Sequence, residues 1–226
     1  LLGVRQGSPL VVGKAVGQYF LASDALSFSQ YSSECFALDE GCIVRIKGQE
    51  LEVFAEHQAA QQVGWEQFDL DESEFSKDGY AHYMLKEIME QWQSIASQAN
   101  LDEAELRRLA VLCSDGKRIM VTGSGGAYFT SIQVAWLLRE IGGVSALAVA
   151  AYEVDTMYAL FGSGDLVLAI SQSGETADTI QAIETARSWG MQVASLVNMP
   201  MSSIARLSDF QFSNQSGPEI CVLSTK

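Results

Sequence analysis

Ser171-Gln172-Ser173-Gly174-Glu175-Thr176 places three hydroxyls and one carboxamide in six residues. The stretch follows the apolar run Asp165 to Ile170 and opens a helical pattern that continues from Ala177 to Trp189. That order reads as strand, tight turn and helix N-terminus. A helix start has backbone N–H groups without intrahelical partners and a partial positive charge, so it suits a phosphate. No lysine lies in the loop and no Walker pattern surrounds it, which argues against nucleotide hydrolysis. A neutral hydroxyl cradle fits a phosphorylated small metabolite. The plainer reading of the same residues is a helix cap, with Ser173 capping and Thr176 in the first turn.

A second loop, Gly123-Ser124-Gly125-Gly126-Ala127, lies between another apolar run and another helical pattern. Glycines let backbone approach a ligand closely and adopt positive φ. The loop is not a full GxGxxG, because the third position is Tyr128. Alone it is equally well a tight structural turn. Beside the Ser171–Thr176 loop in one sheet, it becomes a candidate second wall of the same site.

The elements that must position these loops alternate. Strands are predicted at 118–122, 145–149, 165–170, 192–197 and 209–212, and helices at 127–141, 152–160, 175–189 and 202–206. Alternation of this kind predicts an α/β fold, a doubly wound parallel sheet covered on both faces. Ligands of such sheets sit beyond the carboxyl ends of the strands, near a topological switch point.

Upstream, Tyr83, Met84, Ile88, Trp92 and Ile95 recur at helical spacing, with Lys86, Glu87 and Glu90 on other faces, which predicts an amphipathic helix over 80–98. His82 at its start reads as a structural donor. A further helix is predicted over 102–113. The first 55 residues have β character. Strand patterns run through Leu10-Val11-Val12, 19–23, 35–38, 42–46 and 51–54, with a helix cap at Asp24 and a turn at Glu40-Gly41, and read as a meander. Residues 56–79 turn polar and acidic and read as a linker, its acidic run near Asp69–Glu74 a solvated stretch.

Composition narrows the function classes. At 226 residues, 48% hydrophobic and 19% charged, the chain is globular and long enough for one or two domains. The net charge of −14 argues against nucleic acid and anionic membranes as partners. No apolar run spans a bilayer; the longest, around Val144 to Ala151, is too short. Cys35, Cys42, Cys113 and Cys221 have no CxxC spacing and the histidines are His57 and His82, so neither a metal site nor a cofactor is implied. Scattered thiols of this kind point to a reducing, cytoplasmic compartment. There is no initiator Met and no signal peptide, and the chain reads as a fragment of a longer protein.

The nine residues Ser171-Gln172-Ser173-Gly174-Glu175-Thr176-Ala177-Asp178-Thr179 resemble the signature of sugar isomerase (SIS) domains. The chain is similar, more narrowly, to the glutamine–fructose-6-phosphate aminotransferase family. Three further blocks carry that likeness in the family's order. Leu1 to Gly13, continued by Phe20 to Asp24, resembles the late part of the family's glutaminase domain. His82 to Gln91 resembles the lead into its synthase half, and Glu219 to Lys226 a motif late in its first SIS domain.

The resemblance implies residues 1–55 as the C-terminal part of an Ntn-type α+β glutaminase domain, 56–79 as a linker, and 80–226 as the first SIS domain with its leading helices. It implies fructose 6-phosphate and glucosamine 6-phosphate as ligands, glutamine bound through a region upstream of Leu1, and a homodimer. The nucleophilic cysteine and the Schiff-base lysine would lie outside the chain; none of the four cysteines, nor Lys226, is their counterpart. Catalytic residues are therefore not expected here. Sugar-phosphate binding is expected at Ser171, Gln172, Ser173 and Thr176, at Val222 and Ser224, and at Gly125, Gly126 and Ala127. The family's first loop runs Cys-Gly-Thr-Ser where this chain has Ser124-Gly125-Gly126-Ala127, so two substrate-facing hydroxyls are replaced. A hydrogen bond to a charged group contributes about 1.5–3 kcal/mol, so two losses weaken binding about a hundredfold or more unless Ser124, Thr130 or backbone N–H groups compensate. Glu175 is expected to turn from the phosphate and support a helix N-terminus.

Overall fold

Val12 and Val44, in short strands at the N-terminal end, are fully enclosed. The computed structural model describes residues 1–7, 9–23, 25–55, 63–67, 76–99, 102–114, 118–200, 202–217, 219–221 and 223–226. It divides into two units, Leu1–Ser76 and Lys77–Lys226.

In the first unit β1 (Leu2–Val4), β5 (Ile43–Lys47) and β6 (Glu50–Phe54) form one antiparallel sheet in the order β1-β5-β6. β2 (Val11–Ala15), β3 (Gln18–Ala22), β4 (Glu34–Ala37) and β7 (Glu66–Gln67) form another in the order β3-β2-β4-β7. A short 3-10 turn, Ala25–Phe28, follows β3, and the cap expected at Asp24 lies outside the described residues. The meander expected across Glu40-Gly41 does not form, because β4 and β5 belong to different sheets. Leu38 and Cys42, on either side of that turn, are both buried with Val12, Phe36, Val44 and Val53. The chain therefore crosses a shared core instead of folding back on itself.

The second unit opens with α1 (Tyr83–Gln98) and α2 (Glu103–Ser114). It continues through β8 (Ile119–Gly123), α3 (Gly126–Glu140), β9 (Ala146–Ala150), β10 (Leu166–Ser171), α4 (Ala177–Ser188), β11 (Gln192–Val197), α5 (Ser203–Arg206) and β12 (Phe210–Ser213). The five strands pair in parallel in the order β12-β11-β10-β8-β9. Side chains alternate across the sheet. Met120, Val167, Ala169 and Val193 pack with Ala182 and Ile183 of α4 and Ile204 of α5. Ile119, Val121, Leu166 and Leu168 pack with Leu112 of α2 and Ala135 of α3. Both faces are covered, as the alternation of elements requires.

Two local expectations change. The helix predicted over 152–160 is a 3-10 stretch, Ala151–Met157. Asp165 precedes β10 and works as an anchor: its carboxylate accepts the Arg118 N–H at 3.2 Å, Arg118 Nε at 3.0 Å and Nη2 at 2.6 Å, and the Gly162 N–H at 2.9 Å. Burial pushes its carboxyl pKa up, but the Arg118 guanidinium and the two backbone N–H groups outweigh burial and hold it below the usual carboxylate range.

α1 inverts the usual sense of an amphipathic helix. Lys86, Glu87 and Ser94 are its buried residues, while Met84, Ile88, Trp92 and Ile95 are exposed. The buried carboxylate is accommodated because it accepts hydrogen bonds from the C-terminal segment at Ile220, Cys221 and Thr225. His82 occupies the helix N-cap without a side-chain capping bond.

Candidate functional site

β8 and β10 are neighbours in the sheet, and the chain leaves them in opposite directions. β8 leads to β9 at one edge, whereas β10 leads to β11 and β12 toward the other. The gap between them is a topological switch point, the place where such sheets bind ligands. Loops 123–127 and 171–176 leave the carboxyl ends of these two strands.

The second loop is braced from within. Ser171, 3% exposed, accepts the Gly174 N–H at 3.0 Å, and its Oγ lies 3.4 Å from Thr176 Oγ1. Ser173 Oγ accepts the Glu175 N–H at 3.2 Å. Gly174 has φ 67°, and a Cβ there would lie 2.0 Å from Ser202 Oγ, so only glycine fits. The Gln172 carbonyl accepts the Asn198 N–H at 3.2 Å, and the Gly174 carbonyl accepts the Ile204 N–H at 2.9 Å. The ends of β11 and α5 thus hold the loop's shape.

These bonds decide which donors remain. The N–H groups of Gly174 and Glu175 are taken inside the loop. α4 begins at Ala177, with Thr176 at the N-cap in extended conformation and its side chain making no capping bond. Ser173 therefore does not cap α4, and Thr176 stands before the first turn, because Ser173 turns its oxygen to Glu175. The first-turn N–H groups of α4 have no intrahelical acceptor. With the half-buried side chains of Gln172, Ser173 and Thr176 they form a neutral donor set at a positive helix end.

Glu175 does turn aside, but the N-terminus it serves is that of α5. Its Oε1 accepts the Ser203 N–H at 2.9 Å, while Oε2 is buried without a partner among the described residues. A carboxylate aimed at the loop would oppose an anion there; here Oε1 is engaged by the neighbouring helix.

In the first loop, a Cβ on Gly123 would lie 2.9 Å from the Ile170 carbonyl oxygen, so glycine lets α3 sit close to β10. Gly125 has φ 56° and is the N-cap of α3, again with no side-chain cap. Gly125 and Gly126 are exposed and Ala127 is half-buried. The hydroxyls available to replace the family's Thr and Ser point elsewhere: Ser124 Oγ lies 3.3 Å from the buried Thr179 Oγ1, and Thr130 Oγ1 donates to the Gly126 carbonyl at 3.4 Å. What the loop offers a ligand is backbone.

Ser224 belongs to a different cluster. Its hydroxyl donates to Glu219 Oε2 at 3.1 Å. Val222 lies outside the described residues. The residues that sequence reasoning left out are those that hold others in place: Thr179, Asn198, Ser202, Glu87 and Glu219. A buried charged residue on the polar side of an amphipathic helix, such as Glu87, has no signature in spacing alone.

Among the described residues no group of three or more His, Cys, Asp or Glu is placed to hold a metal, and no helix is long and apolar enough to cross a membrane. Burial pushes the Cys35, Cys42, Cys113 and Cys221 thiols up, which keeps them protonated near neutral pH.

The family model described as SIS domain matches residues 112–226, just over half of the chain. The glutamine–fructose-6-phosphate aminotransferase [isomerizing] of Francisella tularensis is 34% identical over 100% of this chain. That of Aquifex aeolicus is 33% identical over 100% of it, and that of Pyrococcus horikoshii 32% over 98%. The chain spans 38% of the length of each of these relatives. Among solved structures, the C-terminal domain of glucosamine-fructose-6-phosphate aminotransferase from Francisella tularensis superposes with a TM-score of 0.59 at 33% identity, covering 66% of this chain and 44% of that one. A protein of Escherichia coli shares the fold at 18% identity, with a TM-score of 0.52 over 58% of this chain and 71% of that one.

Proposed function

The chain belongs to the SIS domain family, and from that premise we propose that it is the sugar-phosphate-binding part of a glutamine–fructose-6-phosphate aminotransferase. The complete protein makes glucosamine 6-phosphate from fructose 6-phosphate and glutamine. Residues 80–226 are its first SIS domain with leading helices, residues 1–55 the end of a glutaminase domain, and 56–79 the linker, of which Glu66–Gln67 pairs with the first unit as β7. The protein works as a homodimer in the cytoplasm, and glutamine binds upstream of Leu1. The chemistry of both half-reactions belongs to regions outside this chain.

One observation carries the reading: α4 starts at the carboxyl end of β10 with no capping bond from its N-cap side chain, beside the hydroxyls of Ser173 and Thr176. The phosphate takes the capping place. The Ser173 and Thr176 hydroxyls and the Gln172 amide donate to its oxygens, joined by the first N–H groups of α4. Ser171 shapes the loop through Gly174. The backbone of Gly125, Gly126 and Ala127 forms the facing wall, and Val222 and Ser224 line the sugar. With a net charge of −14 on the chain, local dipoles hold the anion against the overall field.

A second reading has its own observation. Gly126 and Ala127 stand where the family has two hydroxyls, and Ser124 and Thr130 are engaged elsewhere. That favours a diverged SIS-domain isomerase or deglycase, or a sugar-phosphate sensor without catalysis.

Thermal unfolding of the 226-residue chain with fructose 6-phosphate, glucosamine 6-phosphate or inorganic phosphate tests the proposal. Ligand at about 100 times its dissociation constant stabilises the fold by about 2.7 kcal/mol. The sugar phosphates should raise the midpoint, and Ser173→Ala should abolish the rise. A folded chain that responds to neither sugar phosphate refutes the reading.

A further inference from the structure

The polar side of α1 and the last eight residues of the chain are built around two buried carboxylates. Glu87, 3% exposed, accepts the Ile220 N–H at 2.6 Å, the Cys221 N–H at 3.1 Å and the Thr225 hydroxyl at 3.2 Å. Glu219, 6% exposed, accepts the Ser224 hydroxyl at 3.1 Å, the Lys226 N–H at 3.0 Å and the Thr225 N–H. Its Oε1 also lies 3.3 Å from Thr225 Oγ1. Around them, Lys226 Nζ meets Glu90 at 2.8 Å, and Lys86 Nζ meets Asp78 at 2.7 Å.

The donors come from both sides of residues 222–224. Glu87 holds the two N–H groups before them, and Thr225, just after them, lies against both carboxylates. Burying a carboxylate is unfavourable unless hydrogen bonds replace its water, and here backbone and hydroxyl donors of one short segment do so. The segment's own N–H groups in turn have no regular partner strand; in the described elements the last strand ends at Ser213. Helix and segment therefore specify each other.

The arrangement also fixes a direction. An ionised carboxylate only accepts, and a serine hydroxyl has a single proton. Once Ser224 donates its one hydrogen bond to Glu219, it presents lone pairs to anything bound beside it. Such a group recognises an O–H donor. It does not recognise a phosphate oxygen or a carbonyl.

We propose that Glu87 and Glu219 are positioning residues that fix the turn carrying Ser224 and hold Ser224 as a hydrogen-bond acceptor for a hydroxyl of the sugar. This rests on the sugar-phosphate reading above. The carboxylates touch no reacting atom. They act through Ser224, and their contribution is selective for the sugar over the phosphate.

The test uses the full-length protein, with fructose 6-phosphate turnover and competitive inhibition by inorganic phosphate as paired readouts. Glu219→Gln offers Ser224 an amide that can donate, and should raise KM for fructose 6-phosphate about tenfold, the scale of one hydrogen bond, with kcat within about threefold. The inhibition constant of inorganic phosphate should not change. Ser224→Ala should have an effect of the same size, and the double variant should be no worse than either alone, because both remove one interaction. Glu219→Asp, which keeps the acceptor, should recover part of the loss. Thr225→Val, which removes one link and keeps the shape, should raise KM about threefold and serves wherever a carboxylate variant fails to fold.

An unchanged KM in Glu219→Gln and Thr225→Val, or a rise in the inhibition constant of phosphate equal to that in KM, overturns the positioning role and leaves the sugar-phosphate reading standing. Failure of the unaltered protein to bind fructose 6-phosphate overturns both.

Discussion

Ser124 Oγ and Thr179 Oγ1 lie 3.3 Å apart, and this contact ties the first loop to the start of α4 across the switch point. Ser124 sits in the turn after β8 and Thr179 in the first turn of α4, fully buried. A hydroxyl that the sequence offers as a substitute ligand group is thereby a structural tie. Ser124→Ala and Thr179→Val should each destabilise the second unit, and the double variant should show a coupling of about 1 kcal/mol in chemical denaturation. Additive effects would mean that the tie contributes nothing.

Restoring the family's hydroxyls should strengthen binding. A Cβ on Gly126 meets nothing within 4 Å, and its φ lies outside the left-handed region. Gly126→Thr with Ala127→Ser should tighten fructose 6-phosphate binding about tenfold or more for each hydroxyl that reaches the ligand, measured by calorimetry. Unchanged affinity would show that the backbone wall already satisfies the ligand.

The two loop glycines should respond oppositely. Gly174→Ala forces a Cβ to within 2.0 Å of Ser202 Oγ at φ 67°, and should destabilise by roughly 2–4 kcal/mol while abolishing the sugar-phosphate thermal shift. Gly126→Ala has open space and should be neutral, or stabilise by about 0.4–1 kcal/mol through the unfolded chain. Denaturation midpoints of the two variants decide it.

Asp165 gives the fold an acid-sensitive joint between the starts of β8 and β10. Its carboxyl is held below the usual range in the folded state, so its contribution is fully present above the unfolded value of about 3.9 and is lost as pH falls through the lower folded value. Arg118 is 53% exposed in its side chain, which screens the ion pair, so the main loss on substitution is of hydrogen bonds. Asp165→Asn should be less stable by about 1–3 kcal/mol at about pH 7, with the gap to the unaltered chain narrowing as pH falls below the unfolded value of about 3.9. A constant gap across that range would place the effect in packing.

The strand and helix pattern of the second unit was legible because period and punctuation agree at each element. The run at 192–197 coincides with β11, and β8, β9, β10 and β12 start within one residue of their predicted positions. The stretch around Tyr152 was not legible: its apolar residues suit either helix type, and in the fold it is a 3-10 stretch packed against α4. The meander expected across Glu40-Gly41 failed because a turn signal shows where a chain bends and not which sheet it joins next. Likewise the apolar spacing in α1 gave a helix but not the face it buries, since the partner of Glu87 lies 133 residues downstream.

Sequence alone determined the α/β alternation, the two Gly/Ser loops at strand ends, and the neutral, lysine-free character of the candidate phosphate cradle, because these follow from local period and residue chemistry. Tertiary structure alone decided which hydroxyls remain for a ligand. Ser171, Ser173 and Thr130 turn to Gly174, Glu175 and Gly126 a few residues away, in loop and helix geometries that the fold sets, and Ser124 turns to Thr179, 55 residues downstream. A hydroxyl has one proton and two lone pairs, and only the three-dimensional surroundings determine how they are shared.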